Sequence, residues 1–138
     1  MSFKNILLFG AGGTSIGPYI LDALVKDGTF NTTVLARQSS KTAFPDSASV
    51  IRVADEFNHR DLVQALQEEV VICAVGILAQ AEQYKLIDAA VEAGVRRFIP
   101  SDWGMDNGDP KNQQLCPVFR GKGEVEQYLR SKESEAFS

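Results

Sequence analysis

The sequence predicts an α/β fold in which a doubly wound parallel sheet is covered by helices on both faces. Short runs that are apolar at every position are typical of strands buried on both sides. Segments with helical spacing of apolar residues alternate with these runs, as in a parallel sheet with crossover helices. With 138 residues, 44% hydrophobic and 23% charged, the chain is predicted to form one globular domain, 1–138.

The first strand and helix are predicted from a change in the spacing of apolar residues along the chain. Residues 6–9 (Ile-Leu-Leu-Phe) form an apolar run that ends at Gly10, as expected of a buried strand. Apolar residues then recur at helical spacing over 16–25, and Gly28 is placed to end that helix. Residues 32–36 (Thr-Thr-Val-Leu-Ala) predict the second strand.

The middle of the chain repeats the alternation. Residues 50–53 (Val-Ile-Arg-Val) predict a third strand. A helix with apolar positions over 62–66 follows, and either Asn58 or Asp61 can begin it, because both residue types favour the N-cap. Residues 70–75 (Val-Val-Ile-Cys-Ala-Val) predict a fourth strand, apolar throughout.

The last third contains two further helices and a strand. A helix over 81–93 is closed by Gly94, and residues 97–99 (Arg-Phe-Ile) predict the fifth strand. The final helix is expected to begin near Pro117. Between them, residues 102–116 are rich in Gly, Asp and Asn, and we expect either a functional lid or a disordered segment there.

Composition excludes several classes of protein. The net charge of −4 leaves no broad basic face for nucleic acid. No apolar stretch approaches the ~20 residues that span a membrane, and the N-terminus does not resemble a signal peptide. The two cysteines, Cys73 and Cys116, allow at most one disulfide and have no metal-ligand spacing. We expect a cytoplasmic protein without a metal.

A glycine turn of residues 10–17 (Gly-Ala-Gly-Gly-Thr-Ser-Ile-Gly) joins the first strand to the first helix. Glycines let the backbone approach a pyrophosphate, and amide groups at a helix N-terminus bind its charge. Glycines also serve any tight turn, but this position in the fold favours a dinucleotide. The residues predicted to bind it here are Gly10, Gly12, Gly13, Thr14, Ile16 and Gly17.

The spacing of these glycines is not standard. The pair Gly10 and Gly12 calls for a third glycine where Ser15 stands. Pairing Gly10 with Gly13 leaves Gly17 one residue late. We therefore expect a turn one residue longer than usual, which can shift the phosphates or weaken their binding.

The end of the second strand indicates which dinucleotide binds. An NAD site usually carries an acid there for the ribose 2′-hydroxyl. Here Arg37 ends the strand, and Ser39, Ser40 and Lys41 follow it. Two cations and nearby hydroxyls suit a 2′-phosphate, so we predict NADP(H) bound by Arg37 and Lys41. The alternative is a solvated surface loop.

Several stretches in order resemble the isoflavone-reductase-like and NmrA-like group of atypical short-chain dehydrogenases. They are the glycine turn, 34–37 (Val-Leu-Ala-Arg), 83–95 (Gln-Tyr-Lys-Leu-Ile-Asp-Ala-Ala-Val-Glu-Ala-Gly-Val) and 96–104 (Arg-Arg-Phe-Ile-Pro-Ser-Asp-Trp-Gly). The resemblance covers nearly the whole chain and implies an NAD(P)-binding Rossmann fold. Family members continue for about as long again, so it also implies that the C-terminal substrate-binding part is absent here.

The resemblance implies roles for residues at two places. For the cofactor in general it implies Gly10, Gly13, Arg37 and Lys41. Near the nicotinamide, at the end of the fourth strand, it implies Ala74, Val75 and Gly76.

Lys122 is the candidate catalytic residue. In reductase members of the family a lysine at this position assists hydride transfer. By spacing, Lys122 shares a helical face with Val125 and Leu129, so it can reach the ribose hydroxyls or transfer a proton. The alternative is a stem that covers apolar surface while the amine stays in water. Val118 stands where short-chain dehydrogenases carry the tyrosine of Tyr-x-x-x-Lys, so that pair is missing.

Asp55 and Trp103 each have two interpretations, and His59 is assigned no catalytic role. Asp55, after the third strand, either approaches an adenine or belongs to a solvated turn. Trp103 either shapes a substrate mouth or caps the sheet edge. His59 stands beside a helix start and is interpreted as a neighbour of the cap rather than a base.

Three functions remain open. The leading one is an NADP(H)-dependent oxidoreductase of the isoflavone-reductase type, acting on a small, aromatic or conjugated substrate. The second is a non-catalytic NmrA-like sensor that binds NADP and reports it to a regulatory protein partner. The third is an inactive truncated relative. Because no strand follows the last helix, we also expect an unpaired sheet edge, homo-oligomer formation and weak reductase activity.

Overall fold

The computed structural model describes residues 2–133 and confirms the predicted fold class. Its five parallel strands have the order β3-β2-β1-β4-β5. The chain builds outward from β1 first in one direction and then in the other, which makes the sheet doubly wound. The strands are β1 (Asn5–Phe9), β2 (Asn31–Arg37), β3 (Ser49–Val53), β4 (Val70–Cys73) and β5 (Arg97–Ile99).

Helices cover both faces of the sheet and divide the core in two. Ile6 and Leu8 of β1 belong to the core beneath the first helix, and Leu7 and Phe9 belong to the core on the opposite face. Side chains alternate along a strand, so a strand covered on both faces must be apolar at each position. The helices are α1 (Gly17–Asp27), α2 (His59–Ala65), α3 (Glu82–Ala93), α4 (Pro110–Leu115) and α5 (Pro117–Ser131).

Local signals set the helix ends where the sequence predicts them. Gly28 and Gly94 follow α1 and α3 in the left-handed conformation, with φ of 72° and 77°. The side chain of Asn58 accepts a 3.0 Å hydrogen bond from the Asp61 amide, so Asn58 rather than Asp61 is the N-cap of α2. Within residues 2–133, no helix is long and apolar enough to cross a membrane.

The segment 102–116 is folded rather than disordered, and its role as a functional lid stays a prediction. It contains α4, whose N-cap Asp109 accepts a hydrogen bond from the Lys111 amide. Before it, the buried Asn107 donates to the Asp102 carboxylate and to the Met105 carbonyl oxygen. The polar residues that suggest a loop supply the caps and turn bonds of a folded segment.

At the amino ends of the strands, Glu69 joins three of them. Its carboxylate accepts hydrogen bonds from the amides of Lys4 and Asn5, at 2.8 and 3.2 Å. Its backbone oxygen accepts from the amides of Arg96 and Arg97. The hydrogen bonds from Lys4 and Asn5, and then the charge of Arg96, lower the pKa of Glu69. The ionised carboxylate therefore stabilises the backbone at Lys4 and Asn5, where β1 begins.

We expect Glu69→Ala to lower the melting temperature at pH 7. A carboxyl whose pKa is lowered by folding stabilises the protein above its unfolded-state pKa, and the contribution is lost as pH falls through the folded-state value. The difference between wild type and variant should thus persist from pH 7 to about pH 4 and vanish below it. Glu56→Ala, at an exposed acid, serves as the control. A difference that stays constant into acid would contradict this role.

Candidate functional site

A cleft at the carboxyl ends of the strands brings most of the predicted cofactor residues together. This glycine cleft has a volume of about 370 Å³ and lies between the glycine turn, the end of β2 and the segment after β4. Open α/β sheets bind ligands at this edge, where the strand order reverses. The predicted residues that line it are Gly10, Gly12, Gly13, Arg37, Ala74, Val75 and Gly76.

A second cleft adjoins the first and contains the candidate catalytic residue. This lysine cleft has a volume of about 210 Å³ and is lined by Lys122, Ile16 and Ser101, among others. Ala74 and Val75 line both clefts, so the segment after β4 forms their common wall. A ligand longer than one cleft can therefore extend past Val75 from the glycine turn toward Lys122.

The glycine turn brings α1 against the end of β1. Gly10 has a φ of 98°, and a Cβ there would collide with the Ala74 carbonyl. A Cβ at Gly17 would collide with the Gly10 carbonyl oxygen. Gly17 thus permits close packing of helix on strand, which is the task of the third glycine in a standard motif, although it comes one residue late.

The start of α1 can receive an anion. Ile16 is its N-cap and supplies no side-chain hydrogen bond, and Pro18 in the first turn has no amide hydrogen to donate. The Tyr19 amide donates to the Ile16 carbonyl oxygen at 3.1 Å, so neither Pro18 nor Tyr19 offers an amide to a ligand. The attraction of this helix start for an anion therefore comes from the helix dipole, which favours negative charge there. In the glycine turn before α1, the Gly13 amide donates a 3.2 Å hydrogen bond to the Gly10 carbonyl oxygen, and this bond tightens the turn.

Arg37 is held at the mouth of the glycine cleft by an aromatic side chain. Its guanidinium carbon lies 5.0 Å from the centre of the Phe57 ring. Phe57 is buried and packs edge-on against Phe9, with ring centres 5.2 Å apart. Its φ of 51° is a conformation that L-residues rarely adopt. The core beneath the cleft therefore fixes the platform on which Arg37 rests.

Three predicted residues, Thr14, Gly17 and Lys41, do not line either cleft. Thr14 and Lys41 are exposed, and neither contributes to the lining of the glycine cleft or the lysine cleft. Gly17 is buried beneath the turn. Their roles in binding stay predictions, and for Gly17 the structure supports a packing role.

The sequence analysis missed a set of hydrogen bonds that joins β4 to β5. The buried Gln83 of α3 accepts a 2.7 Å hydrogen bond from the Ser101 amide. The Ser101 hydroxyl donates to the Val75 carbonyl oxygen at 2.9 Å, and Trp103 Nε1 donates to the Cys73 carbonyl oxygen at 2.8 Å. Side chains after β5 thus satisfy the carbonyl groups at the end of β4 and fix the common wall of the clefts.

A signal in the sequence identifies Gln83 as unusual. With Leu86, Ile87 and Ala90 it occupies the buried face of α3 at helical spacing, and a glutamine on such a face needs a specific partner. The structure supports the capping role considered for Trp103, and its role in shaping a substrate mouth stays a prediction. Its indole lines the lysine cleft while its Nε1 caps the end of β4.

Lys122 lies in α5 with its side chain half-buried in the lysine cleft. Val125 and Leu129 are buried on the same face, as the spacing predicts. The chemistry that this position allows is donation of hydrogen bonds, electrostatic attraction or proton transfer to a ligand beside Val75.

His59 lies outside the clefts. Its Nε2 is 2.5 Å from a carboxylate oxygen of Glu92, and both side chains are exposed. It follows the N-cap Asn58, in agreement with its interpretation as a neighbour of the cap.

The strand order and the glycine turn at the end of β1 define a Rossmann-type α/β domain. The chain belongs to the NmrA-like family, whose family model matches residues 2–137. This confirms the resemblance seen in the sequence.

The chain is similar to named proteins of known sequence or structure. It is 41% identical to the oxidoreductase aprR of Aspergillus flavus over 133 residues, which are 95% of this chain and 44% of that protein. It is 29% identical to isoflavone reductase, with a TM-score of 0.76 over 95% of this chain and 47% of that structure. It is 27% identical to leucoanthocyanidin reductase in a complex with NADPH from Vitis vinifera, with a TM-score of 0.77 over 97% of this chain and 46% of that structure. The chain thus spans less than half the length of these three proteins.

We expect Gly17→Ala to destabilise the fold by about 1–3 kcal/mol, because the new methyl group would displace α1 from the Gly10 carbonyl. Urea unfolding measures the change. Gly104→Ala is the matched control, since a Cβ at Gly104 meets open space. Equal stability of the two variants would contradict the packing role of Gly17.

Proposed function

We propose that the chain is the dinucleotide-binding part of an NADP(H)-dependent reductase of the isoflavone-reductase type. The observation that carries the proposal is the glycine cleft, where the glycine turn before α1 and Arg37 meet at the carboxyl edge of the sheet. A similar solved structure, the leucoanthocyanidin reductase of Vitis vinifera, is a complex with NADPH, and this supports the choice of cofactor.

The residues present fit the proposed cofactor. The turn around Gly12 and Gly13 leaves backbone exposed beside the start of α1, where a pyrophosphate would be held by amides and the helix dipole. Arg37, on its Phe57 platform, would bind the 2′-phosphate through charge-assisted hydrogen bonds. The cofactor, when bound, supplies the hydride.

On the other side of Val75, Lys122 would orient the nicotinamide ribose or move a proton to or from the substrate. It shares the lysine cleft with the Ser101 hydroxyl and the Trp103 ring, which keep the wall of the cleft in place. A cleft that orders the reacting groups lowers the barrier to transfer, and a positioned acid or base adds to this.

A small aromatic or conjugated substrate is favoured by exposed apolar side chains near this edge. Five large ones lie in the segments that follow β4 and β5. They are Ile77, Leu78, Trp103, Met105 and Leu115. Exposed apolar side chains of this kind suit contact with a flat apolar ligand or a covering segment. The name of isoflavone reductase supports an aromatic substrate as well.

A sensor that binds NADP and reports it to a protein partner is the second candidate. The observation in its favour is Val118, which stands four residues before Lys122 where short-chain dehydrogenases carry tyrosine. Both candidates require NADP(H) binding, and only the reductase requires hydride transfer. The cytoplasmic location, the homo-oligomer and the weak activity expected above stay predictions.

We expect Arg37→Ala to remove the preference for NADPH over NADH. Loss of a charged hydrogen bond to the 2′-phosphate costs about 1.5–3 kcal/mol, or roughly ten- to a hundredfold in affinity, while NADH has no phosphate at this position. Calorimetric titration of both cofactors measures the effect. Arg60→Ala removes the same charge from an exposed site on α2 and should leave the preference intact. Equal affinities of the wild-type chain for both cofactors would reject the choice of NADP(H).

We expect Lys122→Met to leave the fold and NADPH affinity nearly unchanged while turnover falls by about 10²-fold, if the lysine moves a proton. Methionine keeps most of the stem that covers apolar surface. A single-turnover assay with NADPH measures the rate, and Lys111→Met on α4 is the matched control. Loss of affinity alone would assign a ribose contact, and no change in either quantity would leave Lys122 without a role in the reaction.

A further inference from the structure

The turn after β2 already uses its backbone amides within the protein. The Gln38 amide donates to the Val53 carbonyl oxygen at 2.8 Å, and the Ser40 amide donates to the Arg37 carbonyl oxygen at 3.1 Å. The Ser39 amide donates to the Asp55 carboxylate at 3.1 Å. A phosphate at this end of β2 must therefore be bound by side chains, above all by Arg37.

Arg52 of β3 holds the carbonyl side of the same turn. Its Nη1 donates to the carbonyl oxygens of Arg37 and Ser40, at 3.3 and 2.7 Å. The guanidinium of Arg52 thus fixes the backbone from one side, while Asp55 fixes it from the other. Several hydrogen bonds hold the shape of the turn, and those made by Arg52 and by the backbone do not depend on the charge of Asp55.

Asp55 also acts on the groups expected to bind the 2′-phosphate. Hydrogen bonds from the Ser39 hydroxyl and amide, and the positive charge of Arg37, lower the pKa of the Asp55 carboxyl. The carboxylate is therefore ionised at neutral pH and is close enough to Arg37 to interact with its charge. It occupies the donors of Ser39, which the sequence offered to the phosphate.

We propose that Asp55 is a specificity-determining residue of the glycine cleft: its carboxylate, bound to the amide of Ser39 in the cleft lining, limits the preference for a 2′-phosphate beside Arg37. The inference rests on the proposed binding of NADP(H). A phosphate that approaches Arg37 and Ser39 meets the negative charge of Asp55, which repels it and already holds the Ser39 amide. A 2′-hydroxyl carries no charge, so the carboxylate does not oppose it in this way.

The test uses two nucleotides that differ only at the ribose 2′ position, 2′,5′-ADP and 5′-AMP. Asp55→Asn removes the charge and keeps an oxygen that can accept from the Ser39 amide, so the turn retains its shape. We expect the variant to bind 2′,5′-ADP about three- to tenfold more tightly than wild type, with little change for 5′-AMP, because one charge is removed several ångströms from a phosphate. The ratio should approach that of wild type in high salt.

Glu56→Gln is the matched control, since it removes the same charge from the adjacent exposed position. Calorimetry on the full chain gives both affinities for each variant. An unchanged ratio in Asp55→Asn, or an equal rise in Glu56→Gln, overturns the inference and leaves the proposed function intact. A wild-type chain that binds neither nucleotide overturns the proposed function, and the inference with it.

Discussion

The site depends on the close approach of α1 to the ends of β1 and β4. Two carbonyl groups, those of Gly10 and Ala74, occupy the space that side chains at Gly17 and Gly10 would need. Because this contact is made by backbone, α1 begins directly over the switch in strand order, and its N-terminus faces the crevice. The position of the glycine cleft follows from this packing rather than from any polar side chain.

The two clefts are built by different means. The glycine turn, Arg37 and apolar residues such as Phe44 line the glycine cleft, whereas side-chain hydrogen bonds of Gln83, Ser101 and Trp103 shape the wall of the lysine cleft. A buried amide such as Gln83 is costly unless its bonds are made, so the wall has a single well-defined arrangement. This division matches the chemistry proposed for each side, with a pyrophosphate held by the glycine turn, a 2′-phosphate by Arg37, and a reacting group ordered by side chains of the lysine cleft.

Much of the fold was predictable because its signals are local. An apolar run at 6–9 or a glycine at position 28 or 94 acts through its own neighbours, and the structure has the expected strand and helix ends there. The helix α4 was not predictable in this way, since its polar residues form caps and turns that composition does not distinguish from a loop. The site follows the same division. The sequence indicates Gly10 and Arg37, but the bonds of Asp55 and Gln83 join residues distant in the chain.

The indole of Trp103 has a practical consequence. It is the chain's single tryptophan, it lies 42% exposed in the lining of the lysine cleft, and its Nε1 is fixed to the end of β4. The tryptophan fluorescence of the protein therefore comes from one side chain. This side chain lines the same cleft as Lys122, on the side proposed for the nicotinamide. The emission wavelength and the quenching of Trp103 would report the entry and exit of solvent or ligand in that cleft without any label.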